Sequence, residues 1–157
     1  MTEPLEVAYR AHAIELVRYA TTLVGPDAAH DVVADALLSV FDGRSDTDDI
    51  EHLRAFLYRA VFHHSVDANR SRDRRRRREE RAGRERAGVA ATIGSEPWIE
   101  ARRILHCLSE QQRAVVFLTY WADHPPAEVA HLLGVQEGTV RKQLARARHR
   151  LREVLDA

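Results

Sequence analysis

Basic side chains are concentrated near the end of the chain, where six Lys and Arg residues and no acid lie between Thr139 and Arg152. An arginine guanidinium can form two parallel hydrogen bonds with a guanine base, whereas Thr and Lys more often hold phosphate. The residues that could carry this chemistry are Thr139, Arg141, Lys142 and Arg146. Their types predict contacts with double-stranded DNA.

The residues just before and within this basic segment have the spacing of a helix-turn-helix. Ala130 is small where two helices must approach, Gly134 follows four residues later in the turn, and Val140 comes six residues after that. The pattern predicts helices over Pro126–Leu133 and Glu137–Leu155, the second of which would enter the major groove with its N-terminus first. The alternative is a basic amphipathic helix that packs on a partner protein, which the turn spacing disfavours.

Helical spacing of apolar residues continues through the rest of the chain, and no alternating strand pattern stands out. The expected inward positions of the first helix include Ile14, Val17 and Leu23. A capping box at Ser109 and Gln112 predicts where a later helix begins. The other predicted helices are Leu5–Val24, Asp27–Phe41, one from about Ile50 into the arginine block, Trp98–Leu108, and one from Ser109 to about Trp121.

These elements predict an all-α fold made of two small helical domains joined by a linker, the C-terminal one containing the helix-turn-helix. Residues 82–96 hold Gly83, Gly88 and Gly94 among small residues, which is typical of a linker. The predicted division is 1–81 for the first domain, 82–96 for the linker and 97–157 for the second domain.

The formal net charge of zero hides three charge blocks. Residues 27–51 carry eight acids against one arginine, whereas residues 70–86 carry ten arginines against four acids. Together with the basic segment after Thr139, this asymmetry favours a nucleic-acid partner and a second partner for the acidic block. Solvated helix faces are the alternative explanation for the arginine block.

Several other classes of function are disfavoured. The longest apolar stretch, Ala114–Ala122, is too short to cross a bilayer, no signal peptide is apparent, and Cys107 is the single cysteine, which predicts a cytoplasmic protein without membrane contact. The nine histidines lack the spacing of zinc ligands, and His63 and His64 are adjacent, hence on different sides of a helix. No nucleophile or phosphate loop accompanies them, so we expect neither enzymatic activity, nor a metal, nor a cofactor.

Motifs in both halves of the chain resemble those of a known family. Leu108–Arg113, Glu128–Ala130 and Leu133–Arg141 are similar to the C-terminal promoter-binding domain of bacterial extracytoplasmic-function (ECF) sigma factors, whose usual form is close to "LPERQR…EIAEILGVSEGTVKSRLHRARRRLRE". Asp27–Phe41 resembles the core-binding helix of that family, and Leu53–Arg70 resembles the helix that contacts the −10 element. The resemblance covers nearly the whole chain.

The resemblance implies a two-domain specificity subunit of RNA polymerase, associated with the nucleoid, that recognises −10 and −35 promoter elements and directs transcription initiation. It implies an anti-sigma factor as a candidate partner besides core RNA polymerase and promoter DNA. By position, the polymerase contacts fall on Asp31, Asp35 and Leu38. The contacts to the −35 element fall on Thr139, Arg141, Lys142 and Arg146.

The −10 element is the place where an unpaired base would be captured. By position, its contacts fall on Arg59, His63, His64, Asp67, Asn69 and Arg70. Single strands are commonly held by stacking on aromatic rings beside a basic groove, so Phe56, Tyr58 and Phe62 are further candidates.

The sequence departs from the family pattern in three places, and these departures leave other functions open. Ala34-Asp35-Ala36-Leu37 stands where the family has Gln-Glu-Ala-Phe, and Phe62-His63 stands where it has Arg-Asn. Asp123-His124-Pro125-Pro126 replaces a turn similar to Gly-Leu-Ser-Tyr. The alternatives to a sigma factor are a helix-turn-helix transcription regulator and a polymerase adaptor that does not melt promoters.

Overall fold

The computed structural model describes residues 3–42, 50–83 and 96–157, and every regular element in these ranges is helical, which confirms the all-α prediction. The loop before the third helix and most of the predicted linker lie outside the described residues. The helices are α1 (Glu3–Val24), α2 (Pro26–Asp42), α3 (Ile50–Arg81), α4 (Glu96–His106), α5 (Glu110–Val116), a π-helical segment (Phe117–Trp121), α6 (Pro126–Leu133) and α7 (Glu137–Leu155).

Helices α1, α2 and α3 pack together as the N-terminal half. The buried face of α1 is a stripe at three- and four-residue steps: Leu16, Tyr19, Ala20 and Leu23. The prediction that Ile14 points inward is wrong, since 72% of this residue is exposed. Ile14 precedes Leu16 by two residues, which places it about 200° around the helix from the buried stripe.

In the C-terminal half, two local sequence signals have the predicted geometry. The Ser109 side chain accepts from the Gln112 backbone N–H, and the Gln112 side chain accepts from the Ser109 backbone N–H, so the capping box is confirmed. Gly134 ends α6 with φ +67°, where a side chain would be strained. The turn at this residue connects α6 to α7, as the helix-turn-helix spacing predicts.

The two halves share one hydrophobic core. The Tyr19 ring centroid of α1 lies 5.4 Å from that of Tyr58 in α3 and 5.5 Å from that of Phe117 in the π-helical segment. Val129 and Leu132 of α6 belong to the same buried cluster. The helix-turn-helix is therefore packed against the N-terminal half, and its placement depends on α1 and α3.

Leu53→Ala tests this core, because Leu53 is fully buried in α3. We expect its removal to lower the free energy of unfolding by about 2–5 kcal/mol, since it leaves a cavity as well as losing burial. Leu38→Ala deletes the same atoms where 61% of the residue is exposed, and should change stability by less than about 0.5 kcal/mol. Urea unfolding measures both, and equal losses would contradict the packing.

Candidate nucleic-acid interface

Helix α7 presents the predicted basic residues to solvent. Arg141, Lys142 and Arg146 are exposed and Thr139 is half-buried, all in the first half of the helix. The opposite face is anchored in the core by Val140, Leu144 and Ala147. Lys142 and Arg146 follow Thr139 at steps of three and four residues and so share a face with it, whereas Arg141 lies about 160° around the helix from Thr139, on the other edge of the exposed side.

The later arginines of α7 have structural partners instead. Arg148 donates to the Tyr120 hydroxyl and lies over its ring, and Arg150 Nε donates to the Cys107 backbone carbonyl at 3.4 Å. On the inward side, Gln143 and Gln112 form a hydrogen bond of 3.3 Å that ties α7 to α5. These contacts fix the orientation of α7, whereas Arg141 pairs with Glu137 on its own helix at 2.6 Å.

Helix α2 carries the predicted polymerase-binding residues on one exposed face. Asp31, Asp35 and Leu38 follow at steps of four and three residues, so they lie in a row along the helix. Leu38 and Phe41 also line an open apolar cavity of about 350 Å³ together with Leu5 and Tyr9 of α1. Phe41 was missed by the sequence analysis, although it continues the row.

Some of the six predicted −10 residues are exposed in the structure, and others form hydrogen bonds within the protein. His63, Asp67 and Arg70 are exposed along α3, and His64 is half-buried. Arg59 instead donates to the His131 backbone carbonyl of α6 at 2.7 Å. Asn69 donates to the Leu23 carbonyl at 3.1 Å and to the Glu110 carboxylate at 3.3 Å.

The aromatic candidates for stacking on a base differ in how deeply they are buried. Tyr58 is fully buried against Tyr19, so the expectation that it could stack on a base is wrong for this arrangement. Burial is the largest cause that raises the pKa of Tyr58, and the nearby Glu15 carboxylate raises it further. Phe56 and Phe62 are partly buried against the core, and Phe62 keeps an edge contact with His63.

A polar cluster between α3, α1 and the start of α6 holds the two halves together. Arg54, with 9% of its side chain exposed, pairs with Glu128 at 2.7 Å. Its second terminal nitrogen lies 3.1 Å from Nε2 of His124, which is itself 3.5 Å from the Glu15 carboxylate. A guanidinium can only donate, so in this hydrogen bond Nε2 of His124 is the acceptor.

This cluster gives the departure at Asp123–Pro126 a structural explanation. Asp123 has φ +57°, a conformation that Asp tolerates better than most residues, and it turns the chain so that His124 enters the cluster. At the other end of the interface, Gly134 lies close to Arg59, and a Cβ on this glycine would be 2.9 Å from Nε of Arg59. The sequence analysis missed the cluster because its members are separated by up to 113 positions along the chain, from Glu15 to Glu128.

Comparisons with known proteins cover both the C-terminal part and nearly the whole chain. The family model for sigma-70, region 4, matches residues 99–151. The chain is 33% identical over 151 residues to the ECF RNA polymerase sigma factor SigM of Mycobacterium tuberculosis, a match that covers 94% of this chain and 74% of the relative. The chain belongs to the ECF RNA polymerase sigma factors. It is therefore a specificity factor that directs transcription initiation.

Further relatives support the same family and fold. A stretch of 54 residues of this sigma factor is 44% identical to the RNA polymerase sigma-E factor of Streptomyces avermitilis, a match that covers 34% of this chain and 30% of the relative. Among solved structures, the sigma factor RpoE in complex with the anti-sigma factor NepR from Bartonella quintana matches 100% of this chain and 99% of that chain, with a TM-score of 0.68 and 24% identity. CnrH in complex with the cytosolic domain of CnrY matches 97% and 87%, with a TM-score of 0.67 and 21% identity.

Two kinds of site are absent from the described part of this sigma factor. Among the described residues, no group of three or more His, Cys, Asp or Glu side chains is arranged to hold a metal ion. Within the same ranges, no helix is long and apolar enough to cross a membrane.

Glu128→Gln tests the cluster between the two halves of this sigma factor. The change removes one carboxylate from the surroundings of the buried Arg54 guanidinium, and water compensates in part because Glu128 is about one-third exposed. We expect a loss of about 1–3 kcal/mol in the free energy of unfolding. Glu100→Gln breaks an exposed pair with Arg103 and should cost less than about 0.5 kcal/mol. Equal stability of the two variants in urea unfolding would show that the cluster does not hold the halves together.

Proposed function

We propose that this sigma factor reads the −35 element with the first half of α7, contacts the −10 element with α3 and docks on core polymerase through α2. The observation that carries the proposal is that Arg141, Lys142 and Arg146 are exposed and Thr139 is half-buried in the first half of a helix whose other face is buried. Arg141 and Arg146 would read base edges, while Thr139 and Lys142 would hold phosphate.

The proposed polymerase contact combines charge with apolar area. Asp31 and Asp35 supply the charge, and Leu38 and Phe41 supply exposed apolar surface beside the groove toward α1. Exposed apolar side chains next to charged ones are typical of a protein-binding surface. Ala34, also exposed on α2, cannot make the hydrogen bond that a Gln would make there.

Binding to the −10 element requires a change in how the two halves of the molecule pack together. Arg59 and Asn69 are two of the six proposed −10 residues, and both are engaged with the C-terminal half or the end of α1. We propose that residues 1–81 and 97–157 act as separate domains in the polymerase complex and that residues 82–96 link them. The contacts of Arg59 and Asn69 would then be exchanged for DNA.

We also propose an anti-sigma factor as a partner, because RpoE was solved with the anti-sigma factor NepR and CnrH was solved with the cytosolic domain of CnrY. The proposed site of action is the bacterial nucleoid, where promoter DNA and core polymerase are found. The protein would act there by binding, without an enzymatic reaction of its own.

An adaptor that binds polymerase without melting promoters is the second candidate, favoured by Phe62-His63 on the −10 side. A run-off transcription assay with purified core polymerase separates the candidates. Promoter-specific transcripts support the sigma activity, core binding without transcripts supports the adaptor, and absence of core binding contradicts both.

Arg141→Ala and Arg146→Ala should each weaken binding of holoenzyme to a promoter with its −35 element intact. The loss of a bidentate base contact costs about 1–3 kcal/mol and relaxes the sequence preference at that position. Arg152→Ala removes the same charge from the end of α7, and we expect affinity for the −35 element to be nearly unchanged. Fluorescence anisotropy with wild-type and mutated −35 sequences measures affinity and preference. Affinity and preference unchanged in both test variants would contradict this docking.

Leu38→Ala and Asp35→Asn should each weaken binding to core polymerase, about tenfold for a side chain at the centre of the interface. Ile14→Ala is the matched control, because Ile14 is also an exposed apolar residue but lies on α1 away from this row. Surface plasmon resonance with immobilised core polymerase measures all three. The assignment of α2 fails if Ile14→Ala weakens binding as much as Leu38→Ala does.

A further inference from the structure

A polar cleft of about 250 Å³ lies between the second half of α3, the end of α4 and the start of α5. Arg72 and Arg76 line it from α3, and His106 and Arg113 line it from the other side. A narrower pocket that shares Arg72, His106 and Arg113 with the cleft adds Arg102. Three guanidinium groups, from Arg72 and Arg76 of α3 and Arg113 of α5, therefore line the cleft between the two halves of the molecule, and Arg102 of α4 lines the adjoining pocket.

Arg113 is incompletely satisfied in this cleft. The residue is only 7% exposed, and its Nε has no hydrogen-bond partner among the described residues. Its two terminal nitrogens donate to the carbonyls of Leu108 and Leu23, each at 3.4 Å. Burial lowers the pKa of Arg113, and the Glu110 carboxylate offsets only part of this effect, so a further anion beside the unpaired donor would be favourable.

The positive potential of the cleft also acts on His106. Burial lowers the pKa of this imidazole, and Arg113, Arg102, Arg72 and Arg76 lower it further, in that order. All four guanidinium groups are thus close enough to destabilise a proton on the ring. An anion among them would offset this effect and raise the pKa of His106 toward its usual value.

A purely structural role accounts for only part of the cluster. Arg72 donates to the Val24 carbonyl at 3.0 Å, so Arg72 and Arg113 both satisfy carbonyls at the end of α1. This role does not explain Arg76 or His106. The walls of the cleft also carry the carboxylates of Asp73 and Glu110, which leaves a formal excess of one positive charge from its three arginines.

We propose that this cleft binds a small phosphate-bearing anion, held by Arg76 and Arg113 with Arg72 and His106 beside it. Arginine forks match phosphate oxygens in geometry as well as charge. The volume is below the about 300–1,000 Å³ of sites for drug-sized ligands, so it suits one phosphate group rather than a strand of DNA. Because the walls come from both halves, the bound anion stabilises the closed arrangement.

The test titrates orthophosphate into the full chain at constant ionic strength, with binding followed by calorimetry and the pKa of His106 followed by NMR. Arg76→Gln removes an exposed guanidinium that lines the cleft, and Arg77→Gln removes its neighbour, which does not line it. We expect saturable binding to wild type and to Arg77→Gln, about tenfold weaker binding to Arg76→Gln, and a rise in the pKa of His106 on binding.

Two results would overturn the proposal. One is binding that does not saturate and leaves the pKa of His106 unchanged. The other is an equal effect of Arg76→Gln and Arg77→Gln, which would show diffuse attraction to the arginine block. ADP identifies the source of the phosphate: tighter binding than orthophosphate with the same loss in Arg76→Gln supports a nucleotide, and weaker binding with that loss supports free phosphate.

Discussion

The charged side chain of Arg54 lies in the interface between α3 and α6, where only 9% of it is exposed. One of its terminal nitrogens lies 2.7 Å from the Glu128 carboxylate. A buried ion pair of this kind contributes little net stability compared with apolar packing, but loss of one partner is costly. It therefore selects one docking geometry for the two halves. His124 extends the selection to the turn before α6, because its Nε2 accepts from the same guanidinium.

The docking geometry has different consequences for the proposed DNA-binding surfaces. The first half of α7 faces solvent, so its basic residues are available in the closed arrangement. On α3, Arg59 is bound to the His131 carbonyl, and Gly134 approaches the same side chain closely. Opening the interface would thus be coupled to use of the −10 surface, because the same arginine cannot serve α6 and DNA at once. The coupling is a consequence of shared side chains rather than of distance.

Local signals made most of the fold predictable. The capping box at Ser109, the turn at Gly134 and the buried stripe of α7 depend on residues within a few positions of one another, and all three have the predicted form. The exposed row on α2 was predictable from the family resemblance and helical spacing alone. Ile14 shows the limit of periodicity, because an apolar residue near a buried stripe can still point away from it.

Contacts between distant parts of the chain were not predictable. Nothing local to Arg54 indicates that its partner is Glu128, 74 positions away. Tyr58 was a reasonable candidate for stacking until the packing of Tyr19 placed it in the core. Asp123–Pro126 was visible only as a departure from a family pattern, and its role became clear when His124 was found between Arg54 and Glu15.

The central claim is that the first half of α7 lies in the major groove of the −35 element when the protein directs transcription. Hydroxyl-radical cleavage from an iron chelate attached at Lys142→Cys, in a Cys107→Ser background, measures this directly in the complex of core polymerase, the sigma factor and promoter DNA. We predict cleavage of both strands confined to the −35 element. Cleavage centred elsewhere on the promoter, in a complex that still makes specific transcripts, would contradict the account.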